Sequence, residues 1–145
     1  MLSSVPQGTV LAPIIFLILL ADIDKDIVNC FVKSFADDTK IGKEIEVQLH
    51  ITMLQENIIK LFEWAEENNM MFNSEKFQLL RYGKNENLKQ ENYHTKEGII
   101  IHRKSMAKDL GIIMQDDASF KLHYEVTNNK ATKIMGQIMR SFKSR

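Results

Sequence analysis

The apolar positions of this chain fall into segments with helical spacing and segments with strand-like clustering. From Glu44 to Asn69 the apolar residues recur at every third or fourth position, which predicts one long amphipathic helix with a buried face. That face consists of Val47, Ile51, Leu54, Ile58, Leu61, Phe62 and Ala65. Trp64 lies beside it and is predicted to pack rather than to take part in chemistry.

An earlier segment, residues 10–21, is apolar on nearly all sides. Pro13 suits the first turn of a helix, so we predict a helix from there to about Asp24 that is buried on most faces. The apolar run of about 12 residues is shorter than the roughly 18 of a membrane-spanning helix, and it lacks the basic region and cleavage site of a signal peptide. Cys30 is the single cysteine and is predicted to be a small core residue, which suits a reducing, intracellular compartment.

A pair of adjacent acids, Asp37 and Asp38, lies between two strand-like segments. Residues 27–35 are β-branched and aromatic, and residues 39–41 can return as a second strand, which predicts a tight hairpin with both acids at its tip. Adjacent carboxylates repel each other, and their hard oxygens suit Mg²⁺ or Mn²⁺. A solvated turn is the plain alternative, and 116–117, the other Asp-Asp pair, is predicted to be one. The strand-like residues on both sides of Asp37 and Asp38 favour the interpretation that this first pair is half of a metal site.

The rest of the chain alternates short strand-like segments with a polar stretch and a helix. We predict short strands at residues 71–72 and 77–82 and an exposed loop at residues 83–96. A second hairpin is predicted between residues 99–101 and 110–113. A final helix is predicted from Leu122 to Phe142. Its apolar side consists of Val126, Ile134, Ile138 and Phe142. This mixture predicts an α+β fold, in which helices pack on an antiparallel sheet.

The composition is typical of one globular domain, and the charged residues are unevenly distributed along the chain. The 145 residues are 44% hydrophobic and 26% charged, with a formal net charge of zero, which alone gives no electrostatic indication of nucleic-acid binding. Residues 121–145 carry six basic side chains against Glu125, a local charge of +5, so residues 1–120 carry −5. The six are Lys121, Lys130, Lys133, Arg140, Lys143 and Arg145. A basic helix suits a phosphate backbone, and a solvated helical face fits the same charge.

These elements, in this order, resemble the palm and the start of the thumb of reverse transcriptases from non-LTR (LINE-like) retrotransposons. The resemblance covers nearly the whole chain, and its motifs are Val5-Pro6-Gln7-Gly8, Phe35-Ala36-Asp37-Asp38, Trp64, Met71-Phe72-Asn73, Lys76, Lys108-Asp109-Leu110-Gly111, Lys130-Ala131 and Arg140-Ser141-Phe142. It implies a partial polymerase palm over residues 1–115, with an antiparallel sheet, two packed helices and a primer-grip-like hairpin. A basic, thumb-like helix over residues 116–145 would follow.

The resemblance also implies roles for individual residues in an RNA-directed DNA polymerase. Asp37 would be a principal ligand of the catalytic Mg²⁺ (or Mn²⁺) ions, with Asp38 as its supporting neighbour. Lys76 would assist the leaving group, although an exposed turn lysine explains that residue equally well.

Nucleic-acid contacts follow from the same resemblance. Pro6, Gln7 and Gly8 would lie against the templating base and the incoming nucleotide, and Leu110 with Gly111 would form the primer grip. The implied partners are an RNA template and a DNA primer, without a membrane. The chain departs from the family pattern at Ser4, Ala12 and Phe77, where the family usually has Gly, Gly and Cys.

In the family, a strand before the Pro-Gln-Gly loop supplies another catalytic aspartate, and basic fingers precede that strand. Neither matches a residue of this chain, and Asp22, Asp24 and Asp26 are poor substitutes. We therefore expect a fragment that is inactive as an isolated chain. The alternative is a non-catalytic transposon relic, nuclear or cytoplasmic, that binds nucleic acid through its basic helix or another protein at an exposed sheet edge.

Overall fold

The computed structural model describes residues 10–83, 88 and 92–143. The chain forms two compact units, the first made of Met1–Phe77 and Glu86–Ile101 and the second of Gln78–Asn85 and His102–Arg145. The predicted α+β class is confirmed by the three helices and several small sheets found among the described residues. The subdivision between residues 115 and 116 stays a prediction, because it separates functional parts rather than compact units.

The helices are α1 (Ala12–Leu19), α2 (Gln48–Glu67) and α3 (Lys121–Lys143), and a 3₁₀ turn covers Ser74–Lys76. The strands are β1 (Phe31–Phe35), β2 (Asp38–Gly42), β3 (Leu79–Leu80), β4 (Tyr93–His94), β5 (Ile100–Ile101), β6 (Arg103–Lys104), β7 (Met106–Asp109) and β8 (Ile112–Gln115). In the part of the chain that the structure describes, they pair only in twos. The pairs β1–β2, β4–β5 and β7–β8 are antiparallel, and β3–β6 is parallel. The single antiparallel sheet that we expected is therefore divided into four short ladders.

The predicted hairpin between residues 99–101 and 110–113 is wrong in its pairing. Strand β5 pairs with β4 and strand β8 pairs with β7. Each of these partners is closer along the chain, so the loop that must be closed is shorter and costs less entropy. Leu110 and Gly111 form the two-residue loop of β7–β8, and both have positive φ (46° and 90°), which is the signature of a type I′ turn.

The first unit is organised by the buried face of α2. The predicted face is confirmed from Ile51 to Ala65, whereas Val47 precedes the helix and is half exposed. Trp64 packs as predicted, and its neighbours form the core cluster. That cluster consists of Leu20, Ile23, Leu61, Trp64 and Ala65, with Phe16, Ile27, Val32, Ile41, Met70 and Phe72 partly buried around it.

Two amide side chains of α2 each bond to both the N–H and the carbonyl of one backbone residue, as a neighbouring strand would. Asn57 is buried, accepts a hydrogen bond from the Val28 N–H (3.2 Å) and donates one to the Val28 carbonyl (2.8 Å). Gln55 makes the same two-way bond to the backbone of His94, at 2.9 Å in each direction. Asn57 also donates to the sulfur of Cys30 (3.1 Å), which is half-buried and lies just before β1 rather than within a buried strand. These bonds hold the segment before β1, and strand β4 itself, against α2.

Helix α1 departs from the prediction of a longer, mostly buried helix. It ends at Leu19, and the chain continues to residue 27 through turns closed by backbone bonds between residues three apart. Leu20 and Ile23 reach the core from these turns, but the apolar side chains of Ile14, Leu17 and Ile18 are exposed. A helix of eight residues presents only one side to the core, and no described residue buries the others.

Residues 71–82 are less regular than predicted. Met71 is almost fully exposed, Phe72 lies in no strand, and only Leu79–Leu80 of the second predicted strand joins a ladder. Phe62, Phe72 and Phe77 form a cluster with ring centroids 5.3–5.9 Å apart. Aromatic packing therefore fixes this segment where we expected strand pairing.

The polar stretch 83–96 is not wholly an exposed loop. Tyr93 begins β4, pairs with Ile101 of β5 and is only 1% exposed. Residues 84–87 and 89–91 lie outside the described part of the chain.

In the second unit, the β7–β8 hairpin fixes the beginning of α3. The Leu122 N–H donates to the Gln115 side-chain oxygen (3.0 Å), and the Ile113 N–H donates to Nδ1 of His123 (3.3 Å). The predicted helix from Leu122 to Phe142 is confirmed within one residue at each end. No helix among the described residues is long and apolar enough to cross a membrane.

Candidate metal and nucleic-acid site

The two adjacent acids lie at the end of the β1–β2 hairpin, as predicted. Phe35 is paired with Asp38, so Ala36 and Asp37 form the two-residue loop and Asp38 is the first residue of β2. Ala36 has φ +50°, a left-handed conformation that non-glycine residues seldom adopt. A positive φ is what a two-residue hairpin loop favours, and Leu110 in the β7–β8 loop shares it.

The two faces of this hairpin differ in character. Cross-strand partners lie on the same face, and successive pairs alternate between faces. The Val32–Ile41 pair packs against the core, and on the same face the Ser34 and Thr39 hydroxyls lie 3.0 Å apart. The opposite face carries the remaining pairs, Phe31–Gly42, Lys33–Lys40 and Phe35–Asp38. Asp38 therefore lies on the face away from the core, beside lysines and exposed aromatic rings.

Asp37 and Asp38 are both exposed, and neither side chain makes a hydrogen bond or ion pair with any residue in the described ranges. The other Asp-Asp pair is different. Asp116 forms an ion pair with Arg103 (3.3 Å), and Asp117 accepts a hydrogen bond from the Ser119 N–H (2.8 Å). Bonds from the Ser119 N–H and hydroxyl hold the pKa of the Asp117 carboxyl below its ordinary value. The side chains of the second pair are thus bonded within a turn, as predicted, whereas those of the first pair have no bonding partner among the described residues.

Two carboxylates are a partial ligand set for a divalent metal. Among the residues that the structure describes, no group of three or more His, Cys, Asp or Glu side chains could hold a metal ion. Asp22 is already engaged, because it accepts the Trp64 indole N–H (3.0 Å) and lies 3.8 Å from the Lys25 ammonium. Carboxylate oxygens fit Mg²⁺, which commonly takes only one or two protein carboxylates and completes its shell with water and substrate phosphates. Asp37 and Asp38 fit such a role.

The other predicted site residues lie elsewhere in the chain. Lys76 ends the 3₁₀ turn in the first unit and is exposed, and Asn73 caps that turn by accepting the Glu75 N–H (3.2 Å). Leu110 and Gly111 form a hairpin loop in the second unit. Pro6, Gln7 and Gly8 lie outside the described residues.

The sequence was compared with models of protein families. The model for reverse transcriptase (RNA-dependent DNA polymerase) matches residues 2–138. The chain belongs to the reverse transcriptase family. No curated protein and no solved structure matches it.

Reverse transcriptases bind a nucleic-acid template and primer and generally use divalent metal ions. Residues 2–138 include both the Asp37–Asp38 hairpin and most of α3, so both belong to the matched domain. Reasoning from the sequence missed the outward face formed by Phe31, Lys33, Phe35 and Lys40. The signal for it was available, because these residues alternate with Val32, Ser34 and Ile41, but it depended on knowing the register of the hairpin.

Proposed function

We propose that this reverse transcriptase chain provides the metal-binding hairpin of the palm and the start of the thumb in an RNA-directed DNA polymerase of the non-LTR retrotransposon type. The observation that carries the proposal is the Asp37–Asp38 doublet, which is exposed, has no bonding partner among the described residues and lies at the end of a well-formed hairpin within the matched domain. Because RNA templates and deoxynucleotides are found inside cells, the proposed location is the nucleus or the cytoplasm.

The proposed role of the doublet is to hold divalent metal. Bound Mg²⁺ or Mn²⁺ would activate the primer 3′-hydroxyl and stabilise the leaving pyrophosphate. Asp37, in the loop, is the principal ligand in this proposal, and Asp38, anchored in β2, supports it. The bond between Ser34 and Thr39 and the packing of Val32 and Ile41 hold the hairpin beneath them.

The outward face of the hairpin supports a primer-binding role. Lys33 and Lys40 form a cross-strand pair beside Phe35 and Asp38, and Phe35 is 63% exposed. Ammonium groups suit phosphates, and exposed aromatic rings suit the faces of unpaired bases. A primer end placed on this face would bring its 3′-hydroxyl close to the carboxylates.

The remaining proposed contacts follow from family membership. Lys76 would assist the leaving group, Leu110 and Gly111 would form the primer grip, and Pro6, Gln7 and Gly8 would lie against the templating base and the incoming nucleotide. The exposed position of Lys76 and the tight Leu110–Gly111 loop are compatible with these roles.

Two carboxylates do not complete a two-metal centre, so we expect the isolated 145-residue chain to be inactive. With Mg²⁺ or Mn²⁺, deoxynucleotides and a primed RNA template, it should give no extension above the buffer background. A fusion that places the fingers and the aspartate-bearing strand of an active family member before Met1 should extend the primer. In that fusion, Asp37→Asn should reduce extension at least about 10³-fold, because it removes a metal ligand.

Asp116→Asn is the matched control, since Asp116 belongs to the second Asp-Asp pair and forms an ion pair with Arg103. It should leave extension by the fusion unchanged. Extension by the isolated chain would contradict the incompleteness of the site. Extension by the fusion that survives Asp37→Asn would contradict the role of the doublet.

The basic character of α3 favours a second candidate function, a non-catalytic nucleic-acid-binding relic. Residues 121–145 carry a charge of +5. Binding to a primed RNA–DNA duplex should then weaken steeply with salt, because neutralising each phosphate releases condensed counterions. Lys130→Gln with Lys133→Gln should reduce the slope of log K against log salt by about 2, roughly one for each phosphate that is no longer neutralised.

Lys25→Gln with Lys96→Gln removes the same charge from the first unit and should leave that slope unchanged. Binding that is insensitive to salt contradicts this candidate. A fusion that binds the duplex with this salt dependence but never extends the primer would favour the non-catalytic relic over the polymerase.

A further inference from the structure

The segment just before β1 is held to α2 by side-chain hydrogen bonds. Asn57 is only 3% exposed, and it directs all its polar atoms at this segment. Its oxygen accepts the Val28 N–H (3.2 Å), and its nitrogen donates to the Val28 carbonyl (2.8 Å) and to the sulfur of Cys30 (3.1 Å). Lys60, three residues later on α2, donates to the Asp26 carbonyl (3.0 Å). One helix therefore fixes the chain where it enters the hairpin.

The same segment is also tied to the second strand of the hairpin. Asn29 has φ +55°, so the backbone turns sharply between Val28 and Cys30. The Asn29 carbonyl accepts a bond from the ammonium of Lys43, the residue that follows β2 (2.7 Å). The base of the hairpin is thus closed by Lys43 and attached to α2 by Asn57.

Asp37 and Asp38 lie at the opposite end of the hairpin from these bonds. Over its five residues β1 advances about 13 Å, at about 3.3 Å per step. A tilt of about 5° at the base would therefore move the far end by about 1 Å. The apolar packing of Val32 and Ile41 on the core has no preferred direction, so it opposes such a tilt only weakly. Hydrogen bonds to defined backbone atoms are directional and oppose it more strongly.

We propose that Asn57 is a positioning residue of the metal centre, because it sets the orientation of the hairpin that carries Asp37 and Asp38. The inference rests on the proposed function, since this orientation matters for catalysis only if the two carboxylates share metal ions with ligands from elsewhere in the polymerase. Asn57 lies at the base of the hairpin and acts only through it. In a catalytic centre, a misplacement of about 1 Å lowers the rate by as much as about 10²-fold.

Helix α2 itself supplies a matched control. Gln55 makes the same two-way bond to the backbone of His94, at 2.9 Å in each direction. That bond holds β4, which carries none of the proposed site residues. Asn57→Leu and Gln55→Met each exchange an amide for an apolar side chain of similar size. Both variants lose a backbone bond of α2, but only Asn57→Leu releases the base of the hairpin.

The test is primer extension by the active fusion described above. Asn57→Leu should lower kcat at least about tenfold and raise the Mg²⁺ concentration for half-maximal extension, because the carboxylates no longer meet the other ligands correctly. Gln55→Met should leave both quantities within about twofold. Circular dichroism at the assay temperature verifies that the variants are folded. If Asn57→Leu does not fold, Asn57→Ser provides the same comparison, because its shorter side chain cannot span the same bonds.

A second measurement separates orientation of the hairpin from its formation. In the 145-residue chain, Asn57→Leu should keep the broadening of amide NMR signals by Mn²⁺ at residues 34–40, because both carboxylates and the strand pairing remain. Loss of that broadening would assign Asn57 to the folding of the hairpin and would overturn the positioning role.

The outcomes for the positioning role and for the proposed function are distinct. If the fusion is active and sensitive to Asp37→Asn, but Asn57→Leu has the kcat and Mg²⁺ dependence of Gln55→Met, the positioning role alone is overturned. If the unaltered fusion fails to extend the primer, or extends it despite Asp37→Asn, the proposed function is overturned and the positioning role with it.

Discussion

Replacing Trp64 by alanine is expected to lower the free energy of unfolding by about 3–5 kcal/mol. Trp64 is 4% exposed and lies in the cluster that joins α2 to the turns after α1. Truncation removes the whole indole from this cluster, and the short elements around it leave a cavity that they can fill only in part. It also leaves Asp22 without the indole N–H that it accepts at 3.0 Å. Urea denaturation measures the change. It should be followed by circular dichroism, because Trp64 is the only tryptophan and its replacement removes the fluorescence signal.

Two further variants separate packing from hydrogen bonding at this position. Trp64→Phe keeps most of the ring and loses the N–H, so it should cost clearly less than Trp64→Ala. Met71→Ala removes an apolar side chain that is 96% exposed and should change stability by less than about 0.5 kcal/mol. If Trp64→Ala changed the free energy of unfolding as little as Met71→Ala, this would contradict the packing of the turns after α1 on α2.

The elements that the sequence predicts well are those with local causes. Helix α2 and helix α3 each repeat the helical spacing over five turns or more, so single exceptions such as Val47 do not obscure the pattern. The β1–β2 hairpin is also local, because its register requires only two strands and a two-residue loop. Asp37 and Asp38 could therefore be placed at a hairpin end from the sequence alone.

The errors concern contacts between distant segments. The apolar composition of α1 predicts burial, but whether Ile14 and Ile18 are buried depends on what packs against them, which composition does not determine. Tyr93 is buried because it pairs with Ile101 and its neighbour His94 bonds to Gln55 of α2, yet it lies in a polar stretch without periodicity. Strand partners such as β3 and β6, which are two residues long, carry too little pattern to be paired from sequence.

The candidate site also has a part that the local sequence predicts and a part that only the structure shows. The position and exposure of Asp37 and Asp38 follow from local sequence, and the structure adds the contrast with Asp116 and Asp117. The first pair has no bonding partner among the described residues, while the second is engaged by Arg103 and Ser119. Two uncompensated neighbouring carboxylates repel each other, and a bound cation relieves that repulsion. We therefore expect metal to bind preferentially at the first pair.

The expected effect is a complete loss of local metal binding in the Asp37→Asn, Asp38→Asn double variant. Amides retain the size and hydrogen-bonding capacity of the side chains but remove both negative charges that a divalent cation needs. Because the two residues are exposed and lie at a hairpin end, the substitution should leave the free energy of unfolding within about 0.5 kcal/mol of its original value. The Asp116→Asn, Asp117→Asn double variant is the matched control.

The central claim, that the hairpin is the carboxylate-bearing part of a reverse transcriptase metal centre, is tested most directly by titrating the chain with Mn²⁺ and recording amide NMR signals. Paramagnetic Mn²⁺ broadens signals near the place where it binds, even when binding is weak. We predict broadening centred on residues 34–40, its disappearance in the Asp37→Asn, Asp38→Asn variant and its retention in the control. Broadening centred on another part of the chain, or broadening at the hairpin that survives the double substitution, would contradict that claim.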